Sequence, residues 1–405
     1  MQRDERLLSR LASLAVLFLK LGTLGFGGPA AHLALMEDEV VGRRQWLSRQ
    51  EFLDLVGVTH LIPGPNSTEM AIHLGLMRAG LPGLVVAGLS FILPAATITA
   101  FFAWLYVECG HLPEVAPFLD GVQPVVLAII FSAVLRLGKT AGKSWRRAGI
   151  GVSVALACVF GLGEIWSLLA GGMIGMFILV RLPGARPPAA SGGPGTSASG
   201  ALLGAFLVPW IAAQALLPSV AQAASRIVER QAVPLLDLAL FFLKVGAVLY
   251  GGGYVLVAFL ERQLIHEWGW QPEQLLDAIA IGQFTPGPIL STATFIGYQC
   301  AGVPGAVVST IGIFLPSFFF VLLIRPLMPR LRGGPWRSAF LDAIIVSAVG
   351  LMAVALLKLG AAILVDPSSW VVAVAAIVVL LRFKVSAAWV VVGGALLGGL
   401  RAALG

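Results

Sequence analysis

The chain has 405 residues, of which 58% are hydrophobic and only 12% charged, and its mean hydropathy is +0.92. That leaves too little polar surface to coat a water-soluble body of this size, so lipid must solvate most of it. The formal charge of +7 is scattered between apolar segments, which speaks against nucleic acid as a partner, and three separated cysteines (Cys109, Cys158, Cys300) exclude a disulfide framework or a thiolate metal site.

The predicted elements begin with Arg3, Arg6 and Arg10 ahead of the apolar stretch Leu11 to Leu19. This order resembles a secretory signal, but no small-residue cleavage site follows before Lys20, so the stretch is expected to stay in the mature protein. Apolar runs suited to spanning helices then fall near residues 11–28, 51–75, 82–107, 115–137, 147–164 and 165–181. The segment 181–200, RLPGARPPAASGGPGTSASG, reads as a flexible solvated linker, and 201–217 is an unmatched apolar run. Six more candidates follow at 235–258, 275–299, 303–324, 338–362, 368–383 and 385–403. Continuous apolar runs lack the alternation of a β-barrel. The expected fold is an all-α polytopic membrane protein of two inverted repeats, with about 10 to 13 transmembrane segments and broken or re-entrant helices.

The repeat rests on matching strings. Phe18-Leu19-Lys20-Leu21-Gly22 answers Phe242-Leu243-Lys244-Val245-Gly246, and Glu37 and Trp46 answer Glu261 and Trp270. Pro63-Gly64-Pro65 answers Pro286-Gly287-Pro288, and Gly75, Gly80, Pro82-Gly83 and Pro94 answer Gly297, Gly302, Pro304-Gly305 and Pro316. Internal similarity of this kind divides the chain into a first module at 1–181, a linker with a connecting span at 182–217, and a second module at 218–405. Six spans plus one connecting span is an odd number, so the second module is expected to enter from the opposite side. Cytoplasmic enrichment of Lys and Arg agrees if the N-terminus is inside, since Lys139, Lys143, Arg146, Arg147, Arg325, Arg330, Arg332, Arg337, Arg382 and Lys384 then fall inside. One loop disagrees, because Arg43, Arg44 and Arg49 face out; re-entrant first segments would lower the count towards 10.

Two motifs are unusual for lipid-embedded sequence. Gly25-Phe26-Gly27-Gly28-Pro29, repeated as Tyr250-Gly251-Gly252-Gly253, weakens a helix and frees backbone N–H groups. Pro63-Gly64-Pro65-Asn66-Ser67-Thr68, repeated as Pro286-Gly287-Pro288, stops one helix and starts another. Irregular backbone in a bilayer is tolerated where it lines a cavity, and broken helices at matching places point to a midplane site. Helix N-termini there suit an anion, with Lys20 and Lys244 adding positive charge. The plain alternatives are close-packing glycines, an interfacial turn and snorkelling lysines. Among acidic residues, Glu69 is the first coupling candidate, followed by Asp54, Asp277, Asp120 and Asp342. The five histidines have no ligand spacing, and no nucleophile elbow appears, so neither a metal, a cofactor nor an enzyme is expected.

The strings FLKLGTLGFGGPAAH, HLIPGPNSTEMAIHLG and GLPGLVVAGLSFILP, in this order and with Trp46 between the first two, resemble the chromate ion transporter family in its long, two-module form. The resemblance covers nearly the whole chain outside the linker and connecting span. It implies a multi-pass carrier of the bacterial inner membrane, N-terminus cytoplasmic, that expels chromate by alternating access at the expense of the proton-motive force. Chromate, protons and the lipid bilayer are the implied partners; a carrier for another oxyanion such as sulfate, or an anion channel, is the alternative, and a homodimer is compatible. Its function is linked to Lys20, Gly25 to Pro29, Pro63 to Glu69, Lys244, Tyr250 to Gly253 and Pro286 to Pro288. The second copy has Gly253 for Pro29 and Ile289-Leu290 for Asn66-Ser67, which implies an asymmetric site.

Overall fold

A backbone in hydrocarbon must satisfy its own polar groups, so apolar runs of this length become helices. The computed structural model describes residues 2–26, 28–110, 112–141, 144–180, 233–250, 253–324, 335–383 and 385–404. The predicted linker and connecting span at 182–217 lie outside the described residues, as do Gly27, Gly251 and Gly252. The described residues are all-helical. In chain order the helices are α1 (Gln2–Leu24), α2 (Pro29–Glu37) with a π turn at Asp38–Arg43, α3 (Arg49–Thr59), α4 (Asn66–Cys109), α5 (Ala116–Ala141), α6 (Trp145–Val159) and α7 (Glu164–Val180). There follow α8 (Leu235–Val248), α9 (Leu256–Leu260) with a π turn at Glu261–Glu267, α10 (Pro272–Phe284), α11 (Thr292–Ile324), α12 (Pro335–Ile363), α13 (Pro367–Arg382) and α14 (Ala387–Leu404). Five stretches among the described residues are long and apolar enough to cross a membrane: Leu7–Leu24, Asn66–Cys109, Ala116–Lys139, Ile289–Ile324 and Ser338–Ile363. Leu93, Phe101, Leu315 and Phe319 stay exposed on α4 and α11, a surface that suits lipid. The protein is a multi-pass membrane protein.

Three chain reversals decide where the motifs go. At Gly25 the chain leaves α1 and runs back along it: Lys20 Nζ donates to Glu39 Oε1 at 2.7 Å and Arg44 donates to Ser13 Oγ at 3.0 Å. Arg43, Arg44 and Arg49 therefore return towards the end where α1 began, which removes the conflict with the charge rule. The second reversal corrects the predicted span 51–75, which is not one helix. Pro63-Gly64-Pro65 separates α3 from α4, and Asn66 Nδ2 meets His60 Nδ1 across the turn at 2.8 Å. With 11 residues, α3 is only about 16 Å long, half the hydrocarbon thickness. In the third, α4 folds back on itself at Ala79 and Gly80 (φ 65°). Gly75 and Gly83 then lie so close that a Cβ on either would strike the other's carbonyl oxygen. Arg78, at this reversal, stacks on Trp46 at 4.8 Å, beside the basic loop of the first reversal.

The same devices occur in the second half. The predicted span 275–299 is likewise divided, between α10 and α11, at Pro286-Gly287-Pro288. The α11 helix breaks at Ala301 and Gly302 (φ 61°), with Gly297 against Gly305. The π turns close alike: Trp46 N–H donates to Val40 O and Trp270 N–H to Leu264 O, both at 2.8 Å.

The halves interlock beyond these hairpins. The α5 helix packs against α13 and α14, while α12 packs against α6 and α7. Gly121 against Gly394 and Gly398, and Gly151 against Gly350, let these backbones approach closely. At one end Arg147 pairs with Asp342 at 2.7 Å, with both side chains mostly buried. Truncating Arg147 removes a charge-assisted hydrogen bond from Asp342. Arg147→Ala is expected to destabilise the protein by about 1.5 to 3 kcal/mol, read as a lower unfolding temperature in detergent, and the reversed pair Arg147→Asp with Asp342→Arg is expected to recover part of it.

Candidate functional site

The glycine breaks and the Pro-Gly-Pro turns of both halves converge. Gly64 N–H donates to Leu249 O at 2.8 Å, and Gly287 N–H donates to Gly25 O at the same distance. Each turn of one half is thus held by the break of the other. Gly22 packs on the Phe91 backbone and Gly246 on that of Ile313. Phe91 lies roughly 15 Å along the second limb of α4, half the length a helix needs to span a hydrocarbon core. Gly28 faces the Tyr254 hydroxyl and Ile289, and Gly253 packs on Ile289 and Leu290.

Three helix starts near this point have no side-chain cap. These are α2 behind Gly28 (φ 78°), α4 behind Pro65, and the turn Ile289–Ser291 that leads into α11 behind Pro288. Their first-turn amides and positive dipole ends favour an anion. The hydroxyls of Thr68, Ser291, Ser309 and Ser317 are buried with no hydrogen-bond partner among the described residues. Glu69 is fully buried, and neither carboxylate oxygen has such a partner. A Cβ on Gly64 (φ 137°) would strike both Glu69 Oε1 and Ser317 Oγ, so the carboxyl of one half and the hydroxyl of the other crowd one spot.

The other predicted residues go to varied places. Lys20 forms an ion pair with Glu39, which Arg43 and Arg44 also approach at 3.4 Å. Lys244 and Phe26 are exposed, and Ser67 is buried. Tyr250 sits edge-on to Phe340 at 6.2 Å. Among the acids, Asp54 is held by Gln50 at 3.0 Å, Asp277 accepts from the Tyr106 hydroxyl at 2.8 Å, and Asp120 feels the charge of Arg401. Asp342 is the partner of Arg147. Among the described residues no group of three or more His, Cys, Asp or Glu side chains is placed to hold a metal ion. Sequence reasoning missed Tyr254 and Ser317. Tyr254 directly follows the second glycine cluster, a usable signal, whereas a serine in an apolar helix gives none.

The family model described as chromate transporter matches residues 12–176 and again 236–399. The chain belongs to the chromate transporter family. It is 32% identical to the chromate transport protein of Cupriavidus metallidurans over 96% of this chain and 92% of that one. With the chromate transport protein of Pseudomonas aeruginosa it shares 33% identity over 83% of this chain and 77% of the relative. An uncharacterized transporter of Bacillus subtilis is 25% identical over 39% of this chain, a match that covers 92% of the relative. No solved structure matches.

Proposed function

We propose that this chromate transporter family member carries chromate out of a bacterial cell across the inner membrane, by alternating access coupled to the proton-motive force. The observation that carries the reading is that uncapped helix starts from both halves lie beside the Gly64 to Leu249 and Gly287 to Gly25 contacts. A tetrahedral dianion there exchanges water for backbone N–H donors, and Glu69 in the first turn of α4 repels it only when ionised. Its exit from a cell that is negative inside is favoured by roughly 2.3 kcal/mol per charge per 100 mV.

In this reading 1–181 and 218–405 are modules of opposite orientation, with the N-terminus cytoplasmic. The contacts at the far end of the first module support it. Tyr106, near the end of α4, reaches Asp277 of α10; Glu164, at the start of α7, lies 3.8 Å from Arg262. The hairpins of the second half thus meet the end of the body away from Arg44 and Arg78. Alternating access then consists of exchanging the Gly64 to Leu249 and Gly287 to Gly25 contacts, opening one side at a time. Lys20, paired with Glu39, contributes to the field of the first hairpin.

Expression in a chromate-sensitive bacterium is expected to raise resistance and lower cell-associated chromium. Equal chromium accumulation with and without the protein would refute export. Inhibition of chromate flux by a similar concentration of sulfate in vesicles would identify a broader oxyanion carrier.

A further inference from the structure

We infer that Glu69 is the protonation site of the carrier and that Ser317, from the other half of the chain, senses its state. This rests on the proton-coupled transport proposed above and selects one of five acidic candidates. Asp120 is exposed, Asp54 is half-buried and held by Gln50, and Asp277 and Asp342 are engaged by Tyr106 and Arg147. Glu69 differs from all of them. It has 0% exposure, and no N–H, hydroxyl or cation among the described residues donates to it. The side chain turns back from the first turn of α4 onto Gly64, inside the Pro-Gly-Pro turn.

An ionised carboxylate in that place is removed from water and accepts no hydrogen bond from the described residues, which makes its charge costly. Binding a proton removes the charge and creates an O–H donor. Ser317 Oγ, also without a partner, crowds the same spot and is the acceptor at hand. Protonated, Glu69 joins the first half's turn to α11 through Glu69 O–H donating to Ser317 Oγ. When the proton leaves to water, the carboxylate can only accept; the Ser317 hydroxyl can turn to donate to it, but one neutral hydroxyl does not offset a buried charge, and opening the turn hydrates it. The turn that opens is the one whose Gly64 N–H holds Leu249. Proton occupancy therefore acts on a contact that alternating access has to break.

The surrounding ionisable groups leave this role to Glu69. Lys20 turns to Glu39, His60 to Asn66, and Lys244 is exposed. His73, one turn further along α4, and Tyr250, at the end of α8, are the titratable neighbours that share its surroundings.

The full chain in proteoliposomes tests this, with chromate flux driven by a potassium diffusion potential and an internal dye reporting protons. The readout is protons moved per chromate. In Glu69→Gln the ratio is expected to fall towards zero, because an amide does not take up and release the proton, and Ser317→Ala is expected to displace the pH dependence of flux. An unchanged ratio in Glu69→Gln overturns the assignment. Should that variant carry no chromate, Glu69→Asp decides: a displaced pH profile supports a titrating carboxyl at this position, and a wild-type profile overturns it. Wild-type vesicles that carry no chromate would instead sink the transport reading itself, and wild-type chromate flux without protons would sink proton coupling together with Glu69.

Discussion

Valine in place of Gly64 or Gly287 is expected to abolish chromate flux and to lower the yield of folded protein. Both glycines have positive φ, 137° and 89°, where a β-branched residue is strained. Space is lacking as well. A Cβ at Gly64 meets Glu69 and Ser317; at Gly287 it meets Ala95 Cβ at 2.7 Å and Gly22 O at 3.1 Å. Backbone strain and overpacking together cost about 2 to 6 kcal/mol, and they fall on the turns that carry the contacts between halves. Gly149→Ala is the control, because nothing lies within 4 Å of its added Cβ and the position is helical. Detergent-extracted yield and vesicle flux measure both effects. Normal flux in Gly64→Val would mean that the turn is not part of the transport path.

A second large effect is all-or-none. In a chain freed of Cys109, Cys158 and Cys300, a cysteine at Arg49 is expected to react with a membrane-impermeant thiol reagent only from the cytoplasmic face. One at His266 is expected to react only from the opposite face. Both side chains are well exposed, at 77% and 58%, so access to reagent is not limiting. The expectation follows from the reversal at Gly25, which brings Arg49 back towards the start of α1, and from the proposal that the modules are opposed with the N-terminus cytoplasmic. Labelling of both positions from one face would remove the inverted arrangement while leaving family membership intact.

The local chemistry of the site was legible in the chain because it is written in glycine and proline. Two clusters and two Pro-Gly-Pro turns can interrupt an apolar helix, and the turns do meet Gly25 and Leu249, where the first helix of each half ends. The direction the chain takes after each interruption was not legible. Candidate spans were divided between residues 75 and 82, close to the break, yet nothing local says that α4 folds back there so that Gly75 touches Gly83. The same limit hid the partner of Lys20. A lysine in an apolar run looks available to an anion until Glu39, 19 residues on, is brought back beside it. Glu69 was readable as a buried acid, but its isolation is a property of the fold: a neighbouring arginine would have made it an ordinary ion pair. The charge pattern Arg43, Arg44 and Arg49 did carry the reversal, as the one loop that violated the topology rule.

The exchange of helices between halves also constrains how the molecule can be made. Arg147 finds Asp342 195 residues later, and α5 finds α13 and α14 only when the last part of the chain emerges. A nascent first half must wait in the bilayer with its small-residue faces uncovered, and such long-range pairing is slow. The glycines that let the finished helices touch are, during synthesis, an open invitation to the wrong neighbour.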